Sequence, residues 1–159
     1  MRRLLCAAVL ALTVVGCTAV VPKPAARSSA KLDHVAISVS DAKASAAFYQ
    51  AVFGFAELKT PFAGGGGVIW LDLGNGVALH IFGGRTTAVA NEHERHLAIQ
   101  VVDISRVTNF LASRGISWQN FDGVAGQIQT RPDGVHQMFF RDPDGYWVEV
   151  NDALKNVAR

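Results

Sequence analysis

Apolar and polar residues along this chain follow two periods, and the same sequence of periods occurs twice. In the stretch His34 to Val39, Val35, Ile37 and Val39 share one side of an extended strand, and His34, Ala36 and Ser38 share the other. Behind Asp41 the period lengthens: Ala44, Ala47, Phe48, Ala51 and Val52 have helical spacing, Asp41 suits the N-cap and Gly54 the stop. A short strand fits Phe55–Thr60. Gly67–Leu73 and Val77–Phe82 then flank Gly74-Asn75-Gly76, a strong hairpin signal. The pattern restarts 62 residues on: Arg95-His96-Leu97-Ala98-Ile99-Gln100-Val101-Val102-Asp103 overlays Asp33 to Asp41 in register. Val107, Phe110 and Leu111 follow on a second helix that stops at Gly115. A short strand fits Ser117–Phe121, and a second hairpin runs through Val135–Arg141, the turn Asp142-Pro143-Asp144-Gly145, and Tyr146–Asn151. Each copy reads βαβββ. The expected class is α+β, with two βαβββ modules (32–82 and 94–151) forming a curled mixed sheet and helices on its outer face.

Strand parity then selects candidate chemistry. In both first strands the aliphatic side packs on the helix and the opposite side carries His34 or His96. In both last strands the aliphatic side is Val77, Leu79 and Ile81, or Val148 and Val150. The opposite side carries His80, matched 69 residues on by Glu149. Four metal-competent side chains therefore face the concave side of the sheet. Three imidazoles and a carboxylate suit Zn, Fe, Ni or Mn better than Ca or Mg, and without thiolates a finger-type structural zinc is excluded. Trp147 shares parity with Glu149, whereas the side taken by Trp70 depends on hairpin register. His93 reads as a loop residue near the site, able to shuttle protons. Arg85 and Arg95 flank the connector Gly83–Glu94 and read as exposed, with anion binding as the alternative. His93-Glu94-Arg95-His96 lacks the spacing of a helical metalloprotease motif. The glycine run at 64–67 has neither the spacing nor the following helix of a phosphate loop.

The N-terminus changes the picture of where this domain works. Met1-Arg2-Arg3 is a short cationic segment, and Leu4 to Val15 is an apolar core of twelve residues, short for a bilayer-spanning helix. Val14-Val15-Gly16-Cys17 resembles the cleavage box of bacterial lipoproteins. That resemblance implies a signal peptide over 1–16, a lipidated Cys17, and a cell-envelope, extracytoplasmic protein held to the membrane by its lipid. Residues 17–31, with Pro22, Pro24, Ser28 and Ser29, read as a tether. Cys6 lies in the signal, so the mature domain has no disulfide and no Cys nucleophile. Without Arg2 and Arg3 the chain carries 13 basic against 13 acidic residues. A neutral body without a basic stripe argues against nucleic acid as a partner.

From Leu32 to Asp152 the chain resembles the vicinal oxygen chelate superfamily: glyoxalase I, extradiol dioxygenases, fosfomycin-resistance transferases and bleomycin-binding proteins. The resemblance is carried by Asp33-His34-Val35, Phe48-Tyr49 with Gly54-Phe55, Leu79-His80-Ile81, His96-Leu97-Ala98, and Phe140 to Gly145 with Val148-Glu149-Val150. In metal-using members the ligands sit on the first and last strand of each module, which implies His34, His80, His96 and Glu149 here. Glyoxalase I usually has Glu or Gln at the position of His80; dioxygenases and fosfomycin transferases use two His and one Glu. The resemblance implies a divalent-metal enzyme acting on a small oxygen-chelating substrate, with the metal as Lewis acid and Glu149 as proton-transfer base (lyase or isomerase chemistry). Two alternatives stand beside it: an Fe(II) extradiol-type dioxygenase, and a non-catalytic lipoprotein that binds a metal or small molecule. Modules of this superfamily pair within one chain or between two, so a homodimer is possible.

Overall fold

The computed structural model describes residues 29–62, 67–90 and 92–156. The lipoprotein signal, Cys17 and most of the glycine run lie outside them. The described residues from Leu32 onward form one compact unit.

The first module runs β1 (His34–Ser38), α1 (Ala42–Phe53), β2 (Glu57–Leu58), β3 (Val68–Gly74) and β4 (Val77–Phe82). The second runs β5 (His96–Gln100), α2 (Ile104–Ser113), β6 (Trp118–Gln119), β7 (Gln129–Thr130), β8 (His136–Arg141) and β9 (Trp147–Asn151), closed by a 3-10 turn at Ala153–Asn156. The sheets have the orders β1-β4-β3-β2 and β5-β9-β8-β6, with β7 also pairing β8. In each, the first strand lies parallel to the last: Ala36 pairs with His80, and Ala98 with Glu149. The α+β fold of two βαβββ modules is thus observed as two mixed sheets. The short strands shrink to two residues each, and β7 was not visible in the hydrophobic pattern.

Local chemistry explains the boundaries. Asp41 caps α1 by accepting from the Lys43 and Ala44 amides, at 2.8 and 3.1 Å, and Gly54 ends the helix at φ 78°. Asp103 caps α2 through the Ser105 amide. The β3–β4 turn places Asn75 at φ 54° and Gly76 at φ 75°, the conformation that an Asn-Gly pair accepts most readily.

The buried face of α1 differs from the periodic reading. Ser45, Ala46, Tyr49 and Val52 are buried, whereas Ala44, Ala47 and Ala51 are exposed. The reason is tertiary: α1 packs against both sheets. Phe48 and Phe53 touch Phe140 of β8, and the buried Tyr49 hydroxyl donates to Asp142 at 2.8 Å. Burial pushes the Tyr49 pKa well up, helped by the Asp142 charge, and burial also raises the Asp142 carboxyl against the hydrogen bonds it receives. One hydrophobic core therefore serves both modules. It joins Ile37, Leu71, Leu79 and Ile81 to Leu111, Met138, Phe140, Val148 and Val150.

The turn between β8 and β9 clasps the first module. Asp144 accepts from the Ser40 amide at 2.6 Å and from the Arg85 guanidinium at 3.0 Å. The Tyr146 hydroxyl accepts from Ser38 N and donates to Ser38 O. Arg85 also donates to Ser38 O at 2.6 Å and to Thr87 O. Its side chain is only 14% exposed, which corrects the expectation of an exposed arginine: a guanidinium with this many local acceptors holds the modules together.

Candidate functional site

Strand pairing fixes what shares a face with each candidate ligand. In the first sheet His80 of β4 lies opposite Trp70 of β3, so Trp70 faces away from the helices. The Trp70, His80 and His34 rings form one column, with centroids 4.0 and 4.1 Å apart and planes within about 10°. Phe62 meets Trp70 edge-on. Asp33 accepts from His34 Nδ1 at 2.7 Å, leaving Nε2 as the lone-pair nitrogen. That bond also holds the Asp33 carboxyl below its usual range. Burial lowers the His80 pKa, as does the neighbouring His34, and both favour the neutral ring. A neutral imidazole is the form that can bind a metal.

The second sheet pairs Phe139 with Glu149, and Arg141 with Trp147, on the face of His96. Glu149 is nearly buried and accepts from the Asn151 amide at Oε1, 2.7 Å away. Its Oε2 lies 3.1 Å from His96 Nε2. His96 Nδ1 lies 2.9 Å from the carbonyl oxygen of His93. A carbonyl can only accept, so Nδ1 carries a proton, and Nε2 of the neutral ring presents a lone pair toward a carboxylate oxygen. Two acceptors at that separation need a cation or a shared proton between them. Metal bonds of about 2.1 Å meeting at a right angle would leave N and O about 3.0 Å apart, so this pair fits a divalent metal. The His93 ring packs on Phe139, Trp147 and Phe121, its Nε2 buried without a hydrogen-bond partner. Burial lowers its pKa.

The four predicted ligands thus stand as two pairs, His34 with His80 and His96 with Glu149. Among the described residues no three His, Cys, Asp or Glu side chains lie close enough to hold one metal ion. The expected convergence of all four does not occur within a single chain. The physical reason is the shared core: the helix-packing faces of both sheets are spent on it, and each polar pair lies on the opposite face of its own sheet.

A family model described as Glyoxalase/Bleomycin resistance protein/Dioxygenase superfamily matches residues 31–150. The chain belongs to this superfamily. Among its relatives, "Glyoxylase I 4" of Arabidopsis thaliana is 29% identical over 126 residues, covering 75% of this chain and 68% of the relative. The solved structure of "Oxidase ChaP-H1" is 25% identical with a TM-score of 0.64, covering 78% of this chain and 96% of the other. A glyoxalase family protein from Enterococcus faecalis is 27% identical with a TM-score of 0.56, covering 77% of this chain and 97% of the other.

For this superfamily member, the sequence did not reveal the parts that orient the ligands. Asp33 and Asn151 stand close to His34 and Glu149 in the chain, but only the hydrogen bonds of the folded chain show that they orient them. The role of the His93 carbonyl was not, because no side-chain pattern signals a backbone acceptor. Trp70 needed the hairpin register. Arg95 stays on the surface, 3.6 Å from Glu92.

Proposed function

We propose that this protein is a divalent-metal-dependent glyoxalase-like enzyme acting on a small oxygen-chelating substrate, in lyase or isomerase chemistry. Its metal ligands are His34, His80, His96 and Glu149, the first pair from one copy of the chain and the second from another. The observation that carries this reading is the His96–Glu149 pair, whose facing acceptors stand at a separation suited to neighbouring metal ligands. Two half-sites on one chain are completed by a second copy, and a two-fold dimer would form two such sites. When bound, the metal supplies Lewis-acid polarisation of adjacent substrate oxygens. The chain's own part is orientation and proton transfer. Asp33 and the His93 carbonyl hold the imidazoles in the ligating tautomer. Asn151 fixes Glu149 Oε1 and so turns Oε2 to the metal position beside His96, and this carboxylate is the base for the substrate proton.

Metal analysis of residues 31–159 beside a His96→Ala variant tests this directly. The wild type should hold zinc, nickel, iron or manganese and the variant should hold none; equal content in the two would sink the site. A second reading is an Fe(II) extradiol-type oxygenase, favoured by the likeness to an oxidase structure at 25% identity and by a donor set containing two imidazoles and a carboxylate. Dioxygen uptake on catechols selects that branch. Proton exchange on a carbonyl substrate with Zn, Ni or Co selects the lyase branch. The proposal includes a membrane anchor at Cys17 in the cell envelope: labelled palmitate should enter the wild type and be lost in Cys17→Ala.

A further inference from the structure

The helical side of the molecule holds a cavity of about 450 Å³, within the size range of small-molecule sites. Residues of α1 and of α2 line it, so it spans the two modules. Ala44, Ala47 and Ala51 of α1 contribute from positions i, i+3 and i+7, one face of a helix. The spacing of this stripe predicted burial, and the structure leaves it exposed. Seven residues of helix rise about 10 Å, which sets the length of a slim channel. Phe48 and Phe110, also lining it, meet edge-on with ring centroids 6.4 Å apart. Ile116 and Pro143 add further apolar wall. Arg114 brings the charge. It follows the last turn of α2, and its guanidinium carbon stands 5.3 Å from the Phe110 ring centroid. Among the described residues no carboxylate or carbonyl accepts from that guanidinium, and no acidic residue lines the cavity. The acidic turn that carries Pro143 has its charges engaged elsewhere: Asp142 accepts from Tyr49, and Asp144 from Ser40 and Arg85. An apolar channel with one unpaired cation complements an amphiphile with one negative charge.

We infer that this channel between α1 and α2 binds an amphiphilic monoanion, a carboxylate on a slim aliphatic body, with the carboxylate on Arg114 and the chain along the alanine stripe. The site is independent of the metal reading, because His34, His80, His96 and Glu149 lie on the sheet faces turned away from the helices.

Octanoate, octan-1-ol and octylamine share one body and differ at one end, and amide NMR on residues 31–159 can follow each. In the wild type octanoate should shift the amides of Ala44, Ala47, Ala51 and Phe110. It should bind about fivefold tighter than octanol, the upper end for an exposed ion pair. Arg114→Met should erase that preference while the neutral alcohol still binds. Arg114→Glu should reverse it in favour of octylamine, a gain that misfolding cannot produce. Ala47→Trp, at an exposed position, should block all three probes with the melting temperature unchanged. No shifts at these amides, equal affinity for octanoate and octanol in the wild type, or a preference that survives Arg114→Met would overturn the inference. So would dissociation of a wild-type dimer by Ala47→Trp, since a second copy would then be the occupant of the channel.

Discussion

On the first module, His34 and His80 lie in a column of rings above Trp70, and the carboxylate orienting His34 is exposed on Asp33. On the second, the same two backbone positions hold His96 and Glu149, oriented by a backbone carbonyl and a buried amide and walled by Phe139, Trp147 and His93. His34 is 44% exposed at its side chain, Glu149 only 11%. The repeated module thus sets where donors sit, and the neighbours particular to each copy set how firmly each is held. The second pair is held by buried partners, while in the first His80 is buried and His34 is exposed. Rigid placement of a few donors is what lowers the cost of binding.

The comparison can be broken most severely at the ligands. Removing either member of the second pair, by His96→Ala or Glu149→Gln, should weaken metal binding by more than about a hundredfold, beyond the loss usual for an orienting residue. Co-expressing a His34→Ala/His80→Ala chain with a His96→Ala/Glu149→Gln chain should restore about a quarter of wild-type metal, because random pairing leaves one intact site in half of the dimers. Modules completing their site within one chain would restore none. Asn151→Ala should cost about tenfold to a hundredfold in metal affinity, as expected for a group that orients a ligand. Isothermal titration with zinc measures each.

Smaller effects test the scaffold that keeps the two faces apart. Tyr49→Phe removes the donor that reaches Asp142 across the modules and should lower stability by about 1–3 kcal/mol in urea unfolding. Asp152 supplies a pH test. Its carboxyl lies at about 2, below the usual carboxylate range, because hydrogen bonds from Lys155 and from the amide and ring of His136 outweigh its burial. A depressed folded value means stability that is present above about pH 4 and lost as pH falls toward 2, on the order of 1–2 kcal/mol. Asp142 works in the opposite sense, since burial raises its carboxyl. Asp152→Asn should therefore flatten the acid limb of stability against pH while lowering stability at neutral pH.

Much of this molecule was determined by its sequence. The repeat, the strand parity and the capping residues Asp41, Gly54 and Asp103 are local matters of hydrophobic period and backbone preference, and they led to the βαβββ order and to the strand face expected for His34, His80 and His96. Local rules also separated the second module's last turn, Asp142 to Gly145, from the strands around it. They did not reveal that Asp144 and Tyr146 of this segment would grip Ser38, Ser40 and Arg85. That contact joins residues 59 to 108 positions apart, and only packing decides it. Packing likewise turned α1 to bury Tyr49 rather than the alanine stripe, and it directed the helix faces of both sheets into one core. The sequence could choose four donors because their chemistry and parity are local properties. Whether they meet, and in how many chains, depends on how two sheets pack, which no single strand encodes.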